Sequence, residues 1–317
     1  AKQNTAGLHL FNTPKGHLEV RPWSHSLGAP DAASDVWVEA FGCQLPEHFL
    51  AWAQHGLSDA AKSTNPVWLN LEYLSAESYV ERCHKLPSPV MSGPLKGRTK
   101  WFFYPGLTGK TGGLIRESWV QEQIKKSAST GHHSLPCKSF SQKSTLFCYE
   151  PAALSEAMQL DSLKMPGHQW QVAHGRGAMA FEQALLKLPS PLETASYQFI
   201  SPVSQTEFDQ LLASSDLNFV RGEDSLVRAL WAGKAFVWQI YPQDDGAHGP
   251  KLNAFLDWLQ PPDSLRRFHL VWNGLSQEPL PEVDLPAWQA CAMAAQARLM
   301  QQMDLVSQLL QFVEEKR

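Results

Sequence analysis

The chain has 317 residues, 43% hydrophobic and 18% charged, with a formal net charge of −4, enough for one large or two medium soluble domains. Its basic residues are scattered, with short clusters such as Lys125-Lys126 and Arg266-Arg267, which speaks against a nucleic-acid surface. No apolar run approaches the roughly 20 residues that span a bilayer, the amino terminus carries no secretory signal pattern, and five cysteines without a CxxC pair fit a reducing cytoplasm better than a disulfide framework.

In chain order, "LEVRPW" (18–23), "DVWVEAFG" (35–42), "PVWLNLEYL" (66–74) and "KWFFYPG" (100–106) read as strands, with helical segments at 46–54 and 76–83. Residues 125–143, "KKSASTGHHSLPCKSFSQK", turn polar and Ser-rich, the composition of an interdomain crossing. A second series follows in "STLFCYE" (144–150), "HQWQVAHG" (168–175), "SYQFI" (196–200), "DLNFV" (216–220) and "AFVWQIYPQ" (235–243). Strands alternating with helices predict parallel sheets flanked by helices. Two such series predict an α/β chain of two Rossmann-like domains facing each other across a cleft: 1–124, the linker 125–143, and 144–285. Apolar residues at three- and four-residue steps from Trp288 to Val313 predict one helix over 286–317. At 1.5 Å per residue it is on the order of 45 Å long and returns to brace the first domain.

Three motifs invite a chemical reading and do not carry one. "GLTGKTGG" (106–113) lacks the first glycine of a nucleotide-triphosphate loop, where Tyr104 stands; it is equally a structural turn or a cleft-lining loop. "GHHSLPC" offers His132, His133 and Cys137 but no fourth zinc ligand. "HGRG" (174–177) follows a strand, yet a lone Gly-x-Gly is weak evidence for phosphate.

"LNFVRGEDSLVRALWAGKAFVWQIYPQ" (217–243) carries more. It reads as strand, tight turn, helix, strand, and its turn falls where open α/β sheets bind anionic ligands. Arg221 offers a fork of donors for a diphosphate. Asp224 is expected to cap the helix amides, with Ser225 in the first turn. Glu223 has no evident structural task, and a carboxylate there suits sugar hydroxyls or positive charge growing at an anomeric carbon.

Together with "VEAFGCQLP", "WLNLEYLSAE", "CHKLPSP", "FFYPGLTGKTGGLIRE" and "LFCYE", this stretch resembles the elongation factor P arginine rhamnosyltransferases (EarP), in the family's order over about residues 36–243. The resemblance implies a GT-B architecture and transfer of L-rhamnose from dTDP-β-L-rhamnose to an arginine of elongation factor P, with inversion and without a metal or other cofactor. It implies Phe147 and Phe208 beside the thymine, Tyr149 and Arg221 on the diphosphate, with Asp224 and Ser225 at the helix start. Gln205 and Tyr241 match further donor-site positions, and Glu223 matches the acid that supports catalysis. Pro202 in "ISPVSQ" stands where an aromatic is common, which implies a differently closed thymine pocket. The family's D-x-x-GD turn, which supplies the base, has no counterpart in residues 1–35, and neither Asp31 nor Asp35 replaces it. The expectation is therefore an enzyme lacking an amino-terminal segment and inactive as this chain alone. Beside this reading stand two others: another GT-B glycosyltransferase with a different acceptor, and a non-catalytic nucleotide-sugar-binding protein. Nucleic acid and membrane are not among the expected partners.

Overall fold

A computed structural model describes residues 2–5, 8–13, 16–24, 34–58, 65–129, 142–189, 196–243 and 246–317. The chain is α/β and divides into two compact units. The first comprises Ala1–Tyr73, Cys83–Tyr104 and Leu310–Arg317; the second comprises Leu74–Arg82 and Pro105–Leu309.

The first unit opens with β1 (Lys2–Thr5), β2 (Leu8–Thr13) and β3 (Gly16–Val20). These form an antiparallel meander of their own, so the strand expected at 18–23 does not join a parallel sheet. Its pairing follows from its neighbour: β2 precedes it by a two-residue connection, too short for the crossover a parallel pair needs. Then come β4 (Val36–Ala40), α1 (Glu47–Ser58), β5 (Val67–Leu71), β6 (Pro87–Pro89) and β7 (Thr99–Phe103). Their sheet runs β4-β5-β7-β6, parallel except for the proline-flanked edge strand β6. Its core takes up several of the tryptophans: Trp37 meets Trp68 edge-on at 5.7 Å and Phe49 at 5.9 Å.

The second unit holds α2 (Ser78–Cys83, except its last residue) and α3 (Ser118–Ser129). The alternating series follows: β8 (Lys143–Leu146), the short α4 (Leu154–Ala157) and α5 (Asp161–Lys164), β9 (Gln169–Ala173), α6 (Arg176–Leu185), β10 (Ser196–Ile200), α7 (Gln205–Ser214), β11 (Leu217–Arg221), α8 (Gly222–Ala232) and β12 (Ala235–Gln239). The chain continues through α9 (His248–Leu259), α10 (Asp263–Trp272) and α11 (Leu285–Met300). All five strands are parallel, in the order β10-β9-β8-β11-β12. β11 and β12 are buried nearly throughout, as an apolar run covered on both faces must be. One layer gathers Trp170, Phe219, Phe268 and Trp288; the other gathers Leu230, Phe236, Trp238 and Phe255. The sheet starts at β8, grows one way through β9 and β10, then resumes on the other side with β11. That reversal is a topological switch point, and it opens a crevice at the carboxyl ends of β8 and β11.

The closing segment is not one helix. α11 ends at Met300, and α12 (Leu305–Lys316) starts afresh because Asp304 accepts hydrogen bonds from Val306 and Ser307 N–H, both at 3.1 Å, and from the Ser307 hydroxyl at 2.7 Å. This is an N-cap. The last residues of α12 belong to the first unit, where Phe312 is buried against Trp101 and Phe103 at 5.7 and 5.8 Å. Among the described residues no helix is long and apolar enough to cross a membrane.

Candidate functional site

A pocket of about 500 Å³ sits at the switch point of the second unit. Phe147, Tyr149, Gln205, Phe208, Arg221, Glu223, Asp224 and Ser225 all line it. Tyr241 lies outside the lining and meets Tyr149 edge-on at 5.6 Å. Phe147 and Tyr149 arrive on the exit from β8, where Phe147 N–H extends the ladder to Phe219 O at 2.9 Å. Phe208 comes from α7 and packs edge-on against Phe147 at 5.4 Å. The α7 start is fixed by a capping box: Ser204 accepts from Glu207 N–H, and the Glu207 carboxylate accepts from Ser204 N–H at 2.7 Å.

Arg221, the last residue of β11, lies over two rings, 4.5 Å from the centre of Phe147 and 4.7 Å from that of Tyr149. Its Nη1 donates to Cys148 O at 3.3 Å. A second guanidinium, that of Arg176, lies 4.9 Å from the Tyr149 ring centre and donates from Nε and Nη2 to the two carboxylate oxygens of Glu150. Burial raises the Tyr149 hydroxyl above its usual range, against the pull of both arginines, so it stays protonated. Burial pushes the Cys148 thiol up to about 12, which makes it packing and not a nucleophile.

Helix α8 begins at Gly222, three residues earlier than a cap at Asp224 would require. Its N-cap is Arg221, which supplies no side-chain cap bond. The helix therefore presents amide groups toward the pocket without a side-chain oxygen over them. Asp224 is not the expected cap: it is exposed in the first turn, 3.7 Å from Arg228. Gly222 has φ 64°, and a Cβ there would stand 3.2 Å from the Tyr149 hydroxyl; only glycine gives both the turn and the close approach. Ser225 is buried, and its hydroxyl closes the turn, accepting from Arg221 N–H at 3.0 Å and donating to Arg221 O.

Glu223 also has a structural task, contrary to the sequence reading. Its carboxylate accepts from Lys251 Nζ at 2.7 Å and from Leu74 N–H at 3.1 Å. It is a carboxylate held in one orientation on the pocket wall. Behind it lies a buried charge cluster: Arg228 is bidentate to Glu117 at 2.6 and 2.7 Å and reaches Asp209 at 3.5 Å. Asp209 in turn accepts from Trp119 Nε1 at 2.8 Å and Gln205 at 3.3 Å. One cation thus ties α7, which carries the Phe208 wall, to α8, which carries the amide end.

The profile of the elongation factor P (EF-P) rhamnosyltransferase EarP matches residues 9–314. The chain belongs to the EarP family. It is 39% identical over 254 residues to a protein-arginine rhamnosyltransferase of Pseudomonas putida KT2440, a match covering 75% of the chain and 64% of that relative. It is 36% identical over 322 residues to the protein of the same name from Pseudomonas aeruginosa PAO1, covering 93% of the chain and 82% of that relative. A solved structure concerned with EarP-mediated arginine glycosylation of translation elongation factor EF-P superposes with a TM-score of 0.50 at 26% identity. That match covers 67% of the chain and 75% of the other.

In this EarP-family chain the pocket also includes residues the sequence reading passed over. His174 lines it, and Arg176 stands next to it at the start of α6; the "HGRG" string after a strand was the available signal. Pro202 lines the pocket together with Ser201 and Val203, so the wall expected to differ is made by this short loop. The 106–113 loop does not line it. It is a closed turn in which Gly106 N–H bonds to Gly113 O at 3.1 Å, and a Cβ on Gly113 would meet Met303 O at 2.5 Å. His132, His133, Cys137 and Asp31 lie outside the described residues.

Proposed function

We propose that the chain is a protein-arginine rhamnosyltransferase that takes L-rhamnose from dTDP-β-L-rhamnose and places it, with inversion, on an arginine of elongation factor P. The observation that carries this reading is the start of α8, which opens without a side-chain cap onto a pocket where Arg221 lies over the Phe147 and Tyr149 rings and Phe208 packs beside Phe147. A ligand suited to it has a flat apolar head and an anionic tail, the shape of a nucleoside diphosphate. Phe147 and Phe208 offer ring faces and edges to thymine. Arg221 and the α8 amides face the diphosphate, with Tyr149 as a neutral hydroxyl donor; Gln205 and Ser225 complete the walls, and Tyr241 stands edge-on to Tyr149 outside them.

In the reaction an arginine nitrogen bonds to the anomeric carbon as the carbon–oxygen bond to the diphosphate breaks. The nitrogen loses a proton to a base carboxylate of the kind the family's D-x-x-GD turn supplies, for which residues 1–35 offer no counterpart. The positive ends that bind dTDP stabilise it more as it leaves with its extra charge. No metal is needed for that task in this reading. Glu223, oriented by Lys251 and Leu74, is placed to stabilise positive charge on the sugar. The cytoplasmic setting expected from the cysteines belongs to the same proposal. Its test is calorimetric titration with dTDP: Arg221→Ala removes charge-assisted hydrogen bonds and should weaken binding by roughly 10- to 150-fold. Unchanged affinity in that variant would remove Arg221 from the diphosphate.

A further inference from the structure

In the first unit, the carboxyl ends of two adjacent parallel strands deliver two exposed aromatic rings side by side. Phe41 follows β4 and is 47% exposed; Tyr73 comes two residues after β5 and is 52% exposed. Their ring centres are 5.1 Å apart and their planes tilted by 36°. Phe41 holds φ 58°, a region that a bulky side chain enters only when its surroundings impose it. Here they do. Phe41 N–H donates to Leu71 O at 2.8 Å, and Cys43 N–H closes the turn on Ala40 O at 3.0 Å. Buried Glu39 accepts from Leu45 N–H at 2.9 Å and from Lys100 Nζ at 2.7 Å. A buried carboxylate thus braces a strained surface turn whose most prominent feature is an aromatic ring in solvent. Neither the strain nor the exposure favours folding.

We propose that Phe41 and Tyr73 form an aromatic platform that receives the guanidinium of the acceptor arginine. This rests on the transfer reaction proposed above and adds to it the acceptor-binding residues. Three arguments point to a guanidinium. Open α/β sheets bind ligands beyond the carboxyl ends of their strands, where both rings stand. The guanidinium is planar and weakly hydrated, so it stacks on aromatic faces. A bidentate carboxylate would occupy the N–H edges that must react, whereas stacking leaves those edges open for bond formation and proton loss.

The test measures binding of elongation factor P to the chain and to its Phe41→Gly, Phe41→Leu and Tyr73→Ala variants, with two acceptors: the natural protein and one whose acceptor arginine is alanine. The variants should weaken binding of the natural acceptor by about twofold to thirtyfold, the range of a cation–π contact, leave dTDP affinity unchanged, and cost nothing further against the alanine acceptor. Phe41→Gly should also hold or raise the melting temperature, because glycine accepts this backbone conformation; a ring needed only for folding would lower it. Equal losses against both acceptors, or no loss at all, would overturn the platform while leaving the proposed donor site intact. If the unaltered chain binds dTDP but not elongation factor P, the proposed acceptor is wrong and the platform falls with it.

Discussion

Arg228→Met removes the cation from the buried cluster behind the pocket and keeps the apolar length of the side chain. Arg228 and Asp209 are 5% and 6% exposed, and Glu117 is 21% exposed, so two carboxylates would be left largely desolvated without their partner. Breaking a buried ion pair on one side costs about 3–5 kcal/mol; the partial hydration of Glu117 places this case toward the lower end. For a unit of this size each kcal/mol lowers the melting temperature by about 2–4 °C, so the expected drop is about 6–12 °C. Differential scanning calorimetry at pH 7 reads it directly. Adding Glu117→Gln and Asp209→Asn to the variant should recover part of the loss, since the uncompensated charges are then gone. A drop below about 2 °C would refute the reasoning, because the cluster would then behave as a solvated surface pair.

Two further outcomes follow from single groups. His168 and His269 are fully buried, and burial lowers each to about 4. The unfolded chain protonates near 6.5, so their contribution is complete above that pH and declines as pH falls toward 4, by about 2 kcal/mol each at pH 5. Melting temperatures should fall between pH 7 and pH 5, and His168→Phe should flatten the profile; an unchanged slope would contradict it. Gly222→Ala forces a Cβ into a backbone with φ 64°, 3.2 Å from the Tyr149 hydroxyl. It should cost about 1–2 kcal/mol in thermal unfolding and weaken dTDP binding; a neutral substitution would show that the turn relaxes freely.

The second unit was legible in the sequence because its strands are continuous apolar runs separated by helical spacing, and the 217–243 stretch announced its own turn. Strand order was not legible. Which strands pair is decided by contacts far along the chain, and β8 lies beside β11 with 70 residues between them. The same distance hid the pocket from a residue-by-residue reading, and family resemblance is what brought Phe147 and Arg221 together. Glu223 was misjudged for the same reason: its partners are 28 and 149 residues away. The β1–β3 meander was missed because its alternation is short and mixed. The two local errors had visible signals. Asp304 followed by Ser307 three residues later is a cap that ends α11 and starts α12. Asp224 looked like a cap because carboxylates favour helix starts, but the positive φ available to Gly222 let the helix begin earlier.

The central claim is that the crevice between β8 and β11 binds the nucleotide sugar. Titration of dTDP-β-L-rhamnose into the chain, alongside Arg221→Ala and Phe147→Ala, tests it most directly. Saturable binding that both variants weaken by at least tenfold, one through the diphosphate and the other through the base, is the expected result. Tight binding that neither substitution disturbs would place the donor elsewhere and contradict the claim.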